Sequence, residues 1–110
     1  MGISSENTVQ DIAESDFDSV VLASTRPVLV AFGTAWSKPC KVLLDTLFNV
    51  ATQSAGTARV FKVDVDEFPD LGLWYSINSV PTLIWFLNGK IHARIVGTAT
   101  VSAILAKMPA

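Results

Sequence analysis

The sequence predicts an α/β domain, because apolar runs of strand length alternate along the chain with segments of helical periodicity. Residues 27–32 and 82–87 are continuous apolar runs, which are typical of central strands covered on both faces. Between them, residues 38–54 repeat apolar side chains at helical spacing. The dipeptide Asn88-Gly89 favours a type I′ turn, so the strand after it pairs back antiparallel. The prediction is a central mixed sheet with parallel βαβ units, a C-terminal antiparallel hairpin and helices on both faces.

The remaining elements complete the order β-α-β-α-β-α-β-β-α. A polar start at Ser15 suits a helix N-terminus, and Pro69 suits the first turn of another helix. Gly56 is typical of the end of the long helix, and Pro109 stops the last one. The predicted bounds are 8–10, 15–22, 27–32, 38–54, 59–65, 68–75, 82–87, 90–96 and 100–108.

Composition limits the classes of partner. The chain has 110 residues, of which half are hydrophobic, and a formal net charge of −2. Its basic residues are scattered, which argues against binding to nucleic acid or to a charged membrane surface. No apolar stretch approaches the ~20 residues of a membrane span. We therefore expect one monomeric domain over residues 1–110, with residues 1–7 frayed.

The cysteine content bounds the redox chemistry. Cys40 is the only cysteine, which excludes an internal disulfide and a cysteine-based zinc site built from this chain. Residues 1–7 carry neither the basic region nor the apolar core of a secretory signal. The sequence therefore predicts a reducing, cytoplasmic location, and it indicates no metal and no cofactor.

Several segments in order resemble the thioredoxin family. Residues 28–41 resemble its active-site strand, turn and helix start, for which the family pattern is Val-Asp-Phe-x-Ala-x-Trp-Cys-Gly-Pro-Cys-Lys. Residues 61–66 resemble the strand that follows, and residues 75–82 resemble the approach to the family's cis-proline. Residues 86–90 and 96–97 match the last hairpin. The resemblance covers nearly the whole chain and implies the thioredoxin fold, thiol-disulfide oxidoreductase chemistry and a role in cell redox homeostasis.

The active-site turn departs from the family pattern at positions that carry the chemistry. Ser37 stands where the family has its nucleophilic cysteine, whereas Cys40 keeps the resolving one. Ala31 replaces the buried aspartate that helps to move protons in the family. Lys38 replaces the glycine between the two cysteines, and Asp45 replaces a helix-kinking proline. The resemblance therefore implies impaired dithiol chemistry or chemistry with one thiol.

Ser37 and Cys40 each have two interpretations. A serine hydroxyl is a weak nucleophile without an activating base, and nothing places the single histidine, His92, beside Ser37. Ser37 is therefore predicted to cap the long helix rather than to act in a hydrolase. Cys40 lies in the first helical turn, where the helix dipole favours a thiolate. The other interpretation is an inert, partly buried thiol.

The resemblance also implies a peptide-binding groove beside this turn. A partly exposed tryptophan next to a Val-Pro pair and a glycine would form an apolar groove for extended peptides. Pro81 is expected to follow a cis peptide bond, and the alternative is an ordinary trans proline at a strand start. The residues implied to bind substrate are Trp36, Lys38, Pro39, Val80, Pro81 and Gly97.

Other large or charged side chains receive weaker assignments. Lys62 matches a family lysine that pairs with the buried aspartate. Because Ala31 stands in the place of that aspartate, the expected partner of Lys62 is Asp64, Asp66 or none. Trp85 lies within an apolar strand and is predicted to be in the core. Trp74 has no role that the resemblance supplies.

Three functions remain open on these residues. The first is a thioredoxin-like protein with monothiol or impaired redox chemistry, acting on proteins or peptides with cysteines or extended segments. The second is a non-catalytic peptide-binding or holdase-type module. The third is an active thioredoxin whose first cysteine was changed to serine, although that change alone does not explain Ala31, Lys38 and Asp45. Whether the chain is an enzyme depends on the reactivity of Cys40.

Overall fold

Five strands and four α-helices form the structure, a computed structural model that describes residues 8–110. The frayed segment expected at residues 1–7 lies outside this range. The strands are β1 (Val9–Asp11), β2 (Val28–Gly33), β3 (Arg59–Asp64), β4 (Thr82–Leu87) and β5 (Lys90–Val96). The helices are α1 (Glu14–Phe17), α2 (Lys38–Gln53), α3 (Pro69–Trp74) and α4 (Val101–Ala106), and a π-helical segment (Asp18–Leu22) continues α1.

The sheet has the strand order β1-β3-β2-β4-β5, with β2 at its centre. Strand β3 runs parallel to both β1 and β2, whereas β4 is antiparallel to β2 and to β5. Asn88 and Gly89, which connect β4 to β5, both have positive φ, as a type I′ turn requires. The mixed sheet with helices confirms the predicted fold class.

Strand β2 is buried on both faces, because its alternating side chains enter two separate cores. Val28, Val30 and Phe32 pack with residues of α1, the π-helical segment and α3. Leu29 and Ala31 pack on the other face with residues of α2 and α4. An uninterrupted apolar run is what a strand covered on both faces requires. Helices therefore cover both faces of the sheet, as the sequence predicts.

An aromatic cluster fills the core under α1 and α3. The Phe17 ring centroid lies 5.4 Å from that of Tyr75, 5.7 Å from that of Phe86 and 6.4 Å from that of Phe32. Tyr75 and Phe86 meet edge to face at 5.4 Å, an arrangement that aromatic quadrupoles favour. Burial raises the pKa of the Tyr75 hydroxyl above its ordinary 10.0, and the charge of Asp18 raises it further.

Trp85 anchors the opposite core. Its side chain is fully buried, and its Nε1 donates a hydrogen bond of 2.9 Å to the carbonyl oxygen of Ile104 in α4. This bond satisfies the one polar atom of a buried indole, which would otherwise carry a desolvation penalty. The prediction that Trp85 belongs to the core is confirmed.

The first helix is the element that the sequence predicted least well. Residues 15–22 were expected to form one α-helix beginning at a polar cap, but α1 starts at Glu14 and becomes π-helical after Phe17. Ala13 occupies the N-cap and provides no side-chain hydrogen bond. The wider turn lets the amide of Ala23 bond to the carbonyl oxygen of Asp18 at 2.9 Å. Other boundaries differ from the predicted ones by at most two residues.

No helix within residues 8–110 has the length and hydrophobicity needed to cross a membrane. The longest, α2, spans 16 residues and exposes several polar side chains.

We expect Phe17→Ala to lower the free energy of unfolding by about 3–5 kcal/mol, because it removes a ring that is 2% exposed and contacts three others. Phe48→Ala is the matched control, since Phe48 is 52% exposed on α2. It should change stability by no more than about 0.5 kcal/mol. Urea titrations followed by tryptophan fluorescence measure both variants. Equal losses in the two would show that the aromatic cluster does not hold this core together.

Candidate functional site

Ser37 caps the N-terminus of α2. Its backbone is extended (φ −75°, ψ 123°), and its Oγ accepts a hydrogen bond of 3.4 Å from the backbone N–H of Cys40. The side chain is only 5% exposed. Within residues 8–110, no histidine or carboxylate hydrogen-bonds to this hydroxyl, so nothing activates it as a nucleophile. The capping role predicted from the sequence is confirmed.

The thiol of Cys40 packs against strand β2 at Gly33. A β-carbon placed on Gly33 would lie 2.8 Å from Cys40 Sγ, closer than real contacts allow. The sulfur therefore rests where any other residue at position 33 would put its side chain. Cys40 is half-buried in the first turn of α2 and remains a free thiol. The absence of a side chain at position 33 fixes how deep this thiol can sit.

Trp36 lies on the surface just before α2. It is 71% exposed, and its Nε1 donates a hydrogen bond of 2.6 Å to Asp66 Oδ2. Asp66 is itself held in a turn, because its amide donates to Asp64 Oδ1 at 2.9 Å. This chain of contacts orients the indole while leaving much of its surface open. Lys38 and Pro39 follow it as exposed residues of the first turn of α2.

Pro81 and Gly97 are joined at the start of β4. The Val80–Pro81 peptide bond is cis. The amide of Gly97 donates a hydrogen bond of 2.8 Å to the carbonyl oxygen of Pro81, and its φ of +90° suits glycine. Thr82 Oγ1 donates to the carbonyl oxygen of Ser79 at 2.8 Å, which holds the turn from the other side. Pro81 is buried, whereas Val80 and Gly97 are half-buried.

A family model for thioredoxin matches residues 8–110. The chain belongs to the thioredoxin family. It is 37% identical to the thioredoxin of Mycobacterium tuberculosis (strain ATCC 25618 / H37Rv) over 97 residues, which are 88% of this chain and 84% of that protein. It is 36% identical to the thioredoxin of Acidithiobacillus ferridurans over 95 residues, which are 86% of this chain and 88% of that protein. Family membership supports a thiol-disulfide oxidoreductase, redox role.

A plant relative is longer than the matched region. The chain is 34% identical to the chloroplastic M-type thioredoxin of Spinacia oleracea over 96 residues, which are 87% of this chain and 53% of that protein. The chain thus spans little more than half the length of that relative. The activity and the cellular location of the protein that contains this chain therefore stay predictions.

The resemblance puts a buried carboxylate at position 31, where this chain has Ala31. Ala31 and Gly33 lie two residues apart on the face of β2 that α2 covers, and a cleft of about 730 Å³ opens beside them. Cys40 and Pro81 line the same cleft. The structure therefore brings Cys40 and Pro81 to one concave surface.

Lys62 forms its ion pair with Asp11, and the expectation of Asp64, Asp66 or no partner was wrong. Lys62 Nζ lies 3.5 Å from Asp11 Oδ1. The two residues are register partners on the parallel strands β3 and β1. Asp64 is engaged elsewhere, because its Oδ1 accepts hydrogen bonds from the turn that follows β3.

Sequence reasoning missed three residues of this region: Asp11, Gly33 and Thr34. Gly33 falls at a variable position of the family pattern, so the pattern gave no signal for it. Asp11 was placed just beyond the predicted edge strand, and only the register with β3 shows its contact with Lys62. Thr34 lies next to Gly33 and lines the cleft. No local pattern indicates the cleft, because its lining comes from elements that are distant in the sequence.

We expect Gly33→Ala to lower the free energy of unfolding by about 1–3 kcal/mol, because the new methyl group displaces the Cys40 sulfur. The displaced thiol should move toward solvent and react faster with iodoacetamide. In a Cys40→Ala background the same change should be neutral or slightly stabilising, since alanine suits a strand better than glycine does. Urea titrations of the four proteins of this double-mutant cycle measure the coupling. Additive effects would mean that the sulfur does not rest on Gly33.

Proposed function

We propose that the chain acts on protein disulfides through one thiol, that of Cys40, with Ser37 as a helix cap at the position of the family's nucleophile. The observation that supports this most is the placement of Cys40. It is half-buried rather than sealed in the core, and it lines a cleft together with Pro81. The substrates proposed are protein segments that are extended and contain cysteines.

The groove proposed for those segments lies between Trp36 and the Pro81–Gly97 pair. Trp36 offers an exposed, hydrogen-bonded indole, and Val96 beside Gly97 is 63% exposed. An exposed apolar surface next to a strand start suits an extended peptide, whose main chain pairs with the strand edge while its side chains contact the apolar patch. Lys38, Pro39 and Val80 would border this groove.

The chemistry is a thiol–disulfide exchange. The Cys40 thiolate attacks one sulfur of a substrate disulfide, which forms an intermolecular disulfide and releases the other substrate sulfur as a thiolate that takes up a proton. This chain has no second cysteine with which to resolve the intermediate. An external thiol must therefore attack the Cys40 sulfur of the mixed disulfide, which releases the second substrate thiol and leaves the external thiol bonded to Cys40. A second external thiol then attacks that bonded external sulfur, which frees Cys40 and forms the external disulfide. Turnover is then limited by the external thiol.

We expect reduced protein to form a mixed disulfide with insulin, detected by intact mass under non-reducing conditions, and Cys40→Ala to abolish it. Trp36→Ala should slow this reaction several-fold by weakening the groove. Labelling of Cys40 by iodoacetamide should be unchanged in Trp36→Ala, because that small reagent needs no groove. If insulin is not captured while iodoacetamide labels Cys40 readily, the monothiol proposal is wrong.

The second candidate is a non-catalytic binding module, which the exposed indole of Trp36 and the exposed Val96 also favour. This module needs no reactive sulfur. Reduced and Cys40→Ala proteins would then suppress aggregation of an unfolded client equally, and neither would capture insulin. A cytoplasmic location and a monomeric state remain predictions under both candidates.

We expect Ser37→Cys to form an internal disulfide with Cys40 and to gain reductase activity toward insulin with dithiothreitol as the electron source. The new thiol would lie at the N-cap of α2 and that of Cys40 in its first turn, and the positive helix end and Lys38 favour a thiolate at position 37. Adding Ala31→Asp should raise turnover by about 10²–10⁴-fold if the carboxylate acts as a general acid or base.

Ser37→Cys combined with Cys40→Ala is the matched control, since it carries one thiol at the new position and cannot close the internal bond. An internal disulfide without reductase activity, even with Ala31→Asp, would contradict the proposed groove. The chain would then be a binding module.

A further inference from the structure

A pocket of about 540 Å³ lies at the edge of the sheet opposite the thiol. Cys40 follows the carboxyl end of β2, whereas this pocket lies beside the amino ends of β2 and β3. It is lined by the end of the π-helical segment, by the turn that leads into β2 and by the first residue of β3. None of these residues lines the cleft beside Cys40 or the proposed peptide groove, so the pocket is a separate site.

Arg59 contributes a positive charge that is held in one orientation. Its guanidinium stacks on the ring of Phe61, with Cζ 4.8 Å from the ring centroid, and its Nη2 donates a hydrogen bond of 3.5 Å to the neutral Gln10 Oε1. Within residues 8–110 it forms no ion pair. Its amide donates a hydrogen bond of 3.1 Å to the carbonyl oxygen of Pro27, which fixes the start of β3. A guanidinium has five N–H donors, and most of those of Arg59 are still available.

The turn into β2 adds a second arginine and a hydroxyl group. Arg26 lines the pocket and takes part in a further interaction, which one guanidinium can combine with the binding of an anion. The turn is held by Ser24 Oγ, which accepts a hydrogen bond of 3.1 Å from the Arg26 amide and donates one of 2.9 Å to the Arg26 carbonyl oxygen. The exposed hydroxyl of Thr25 also lines the pocket and makes no hydrogen bond with a described residue.

No carboxylate of the described residues lines this pocket. Glu14 and Asp16 lie in the first turn of α1, at the far end of the helical segment, and Asp16 lines the cleft beside Cys40 instead. The charge of Asp18 raises the pKa of Tyr75, which places Asp18 on the side of the aromatic cluster. The lining that the structure describes therefore carries two positive charges and no negative one.

The remaining groups at this edge do not oppose an anion. The carbonyl oxygens of Asp18 and Val21, at the end of the helical segment, already accept hydrogen bonds from the amides of Ala23 and Ser24. Lys90 begins β5 at the same edge of the sheet, because its register partner Leu87 ends β4 there. The edge is thus electropositive, and long-range attraction favours a negatively charged ligand.

We propose that this pocket binds the phosphate group of a small phosphomonoester. Such a phosphate carries a charge of about −1.5 to −2, which two arginines can match, and guanidinium groups fit its oxygens in pairs. Arg59 and Arg26 bind the phosphate oxygens, the Thr25 hydroxyl donates to one of them, and the body of the ligand lies against Val20 and Ala23. The volume of the pocket is within the range of sites that hold small ligands.

The test uses probes that differ in charge but share one body. Glycerol 3-phosphate carries the phosphate, glycerate carries a single carboxylate, and inorganic phosphate lacks the body. In titrations of ¹⁵N-labelled protein at about 0.15 M salt, where exposed charges are screened, glycerol 3-phosphate should move the amides of Thr25, Arg26 and Arg59. Its Kd should be about 1 mM or lower, and glycerate should bind at least about tenfold more weakly. Inorganic phosphate should bind several-fold more weakly than glycerol 3-phosphate.

Variants assign the charges. Arg59→Gln should weaken the binding of glycerol 3-phosphate by about tenfold or more, and Arg59→Lys should weaken it less. Arg94→Gln is the matched control, because Arg94 is an exposed arginine of β5 outside the pocket, and it should leave the affinity unchanged. Ala23→Glu should abolish binding by placing a carboxylate in the lining, whereas Ala23→Gln, of nearly equal size, should retain it. The Ala23 pair tests the site even if Arg59→Gln disturbs folding, since Ala23 is exposed and has ordinary helical backbone angles.

Four results would overturn the proposal. The first is the absence of saturable shifts up to about 20 mM glycerol 3-phosphate, and the second is equal affinity for glycerate. The third is equal affinity for inorganic phosphate, which would make free phosphate the ligand. The fourth is a set of shifts confined to Lys38 and Lys41, which would place the anion at the start of α2. None of them bears on insulin capture by Cys40, so the two proposals fail separately.

Discussion

Everything in this structure depends on the burial of β2 between two layers of helices. Its side chains alternate between the aromatic core under α1 and α3 and the aliphatic core under α2 and α4. Parallel pairing with β3 and antiparallel pairing with β4 satisfy its backbone on both edges. The strand cannot shift by one residue without moving every side chain to the wrong core. The turn at its end, from Thr34 to Ser37, is consequently held in one place.

The position of that turn decides the position of the thiol. Helix α2 starts at the cap on Ser37, and Leu43 and Leu47 fix its rotation against β2. Because Cys40 lies on the same side as these leucines, its sulfur points toward the strand and meets Gly33. A larger residue at position 33 would force the sulfur outward. The position of the Cys40 sulfur thus depends on the strand as well as on the helix.

The features that the sequence predicts correctly are those formed by residues that lie close together along the chain. The apolar runs of β2 and β4, the Asn88-Gly89 turn and the periodicity of α2 each carry a signal within a few residues, and each was located to within one or two positions. The cap on Ser37 was also predictable, because a serine before a helix that has proline in its first turn is a local pattern.

The features that sequence reasoning missed depend on contacts between distant segments. The Lys62–Asp11 pair requires the register of β1 on β3, and no local pattern encodes that register. The π-helical segment that continues α1 lies where Phe17 and Val21 pack in the core under the sheet. Tertiary packing of this kind can override helix propensity, which is the only signal that the local sequence carries. The cleft is lined by residues of β2, β3 and α2 that are distant in the sequence, so no local pattern encodes it.

The ion pair of Lys62 depends on the residue at position 31. The resemblance places a carboxylate at position 31, and there it would lie beside Lys62, its register partner on β3. With Ala31 in that place, Lys62 pairs instead with Asp11, whose side chain is 82% exposed on the edge strand. An ion pair this open to water contributes about 0–1 kcal/mol at most, so it can rearrange at little cost. Lys62 thus pairs with a residue of the edge strand β1. The cleft beside the thiol is lined by Lys41, Lys62 and four carboxylates, but position 31 contributes none of these charges. Under the proposed disulfide chemistry, the proton of Cys40 passes to solvent or to another ionisable group of the cleft, because position 31 carries no carboxylate.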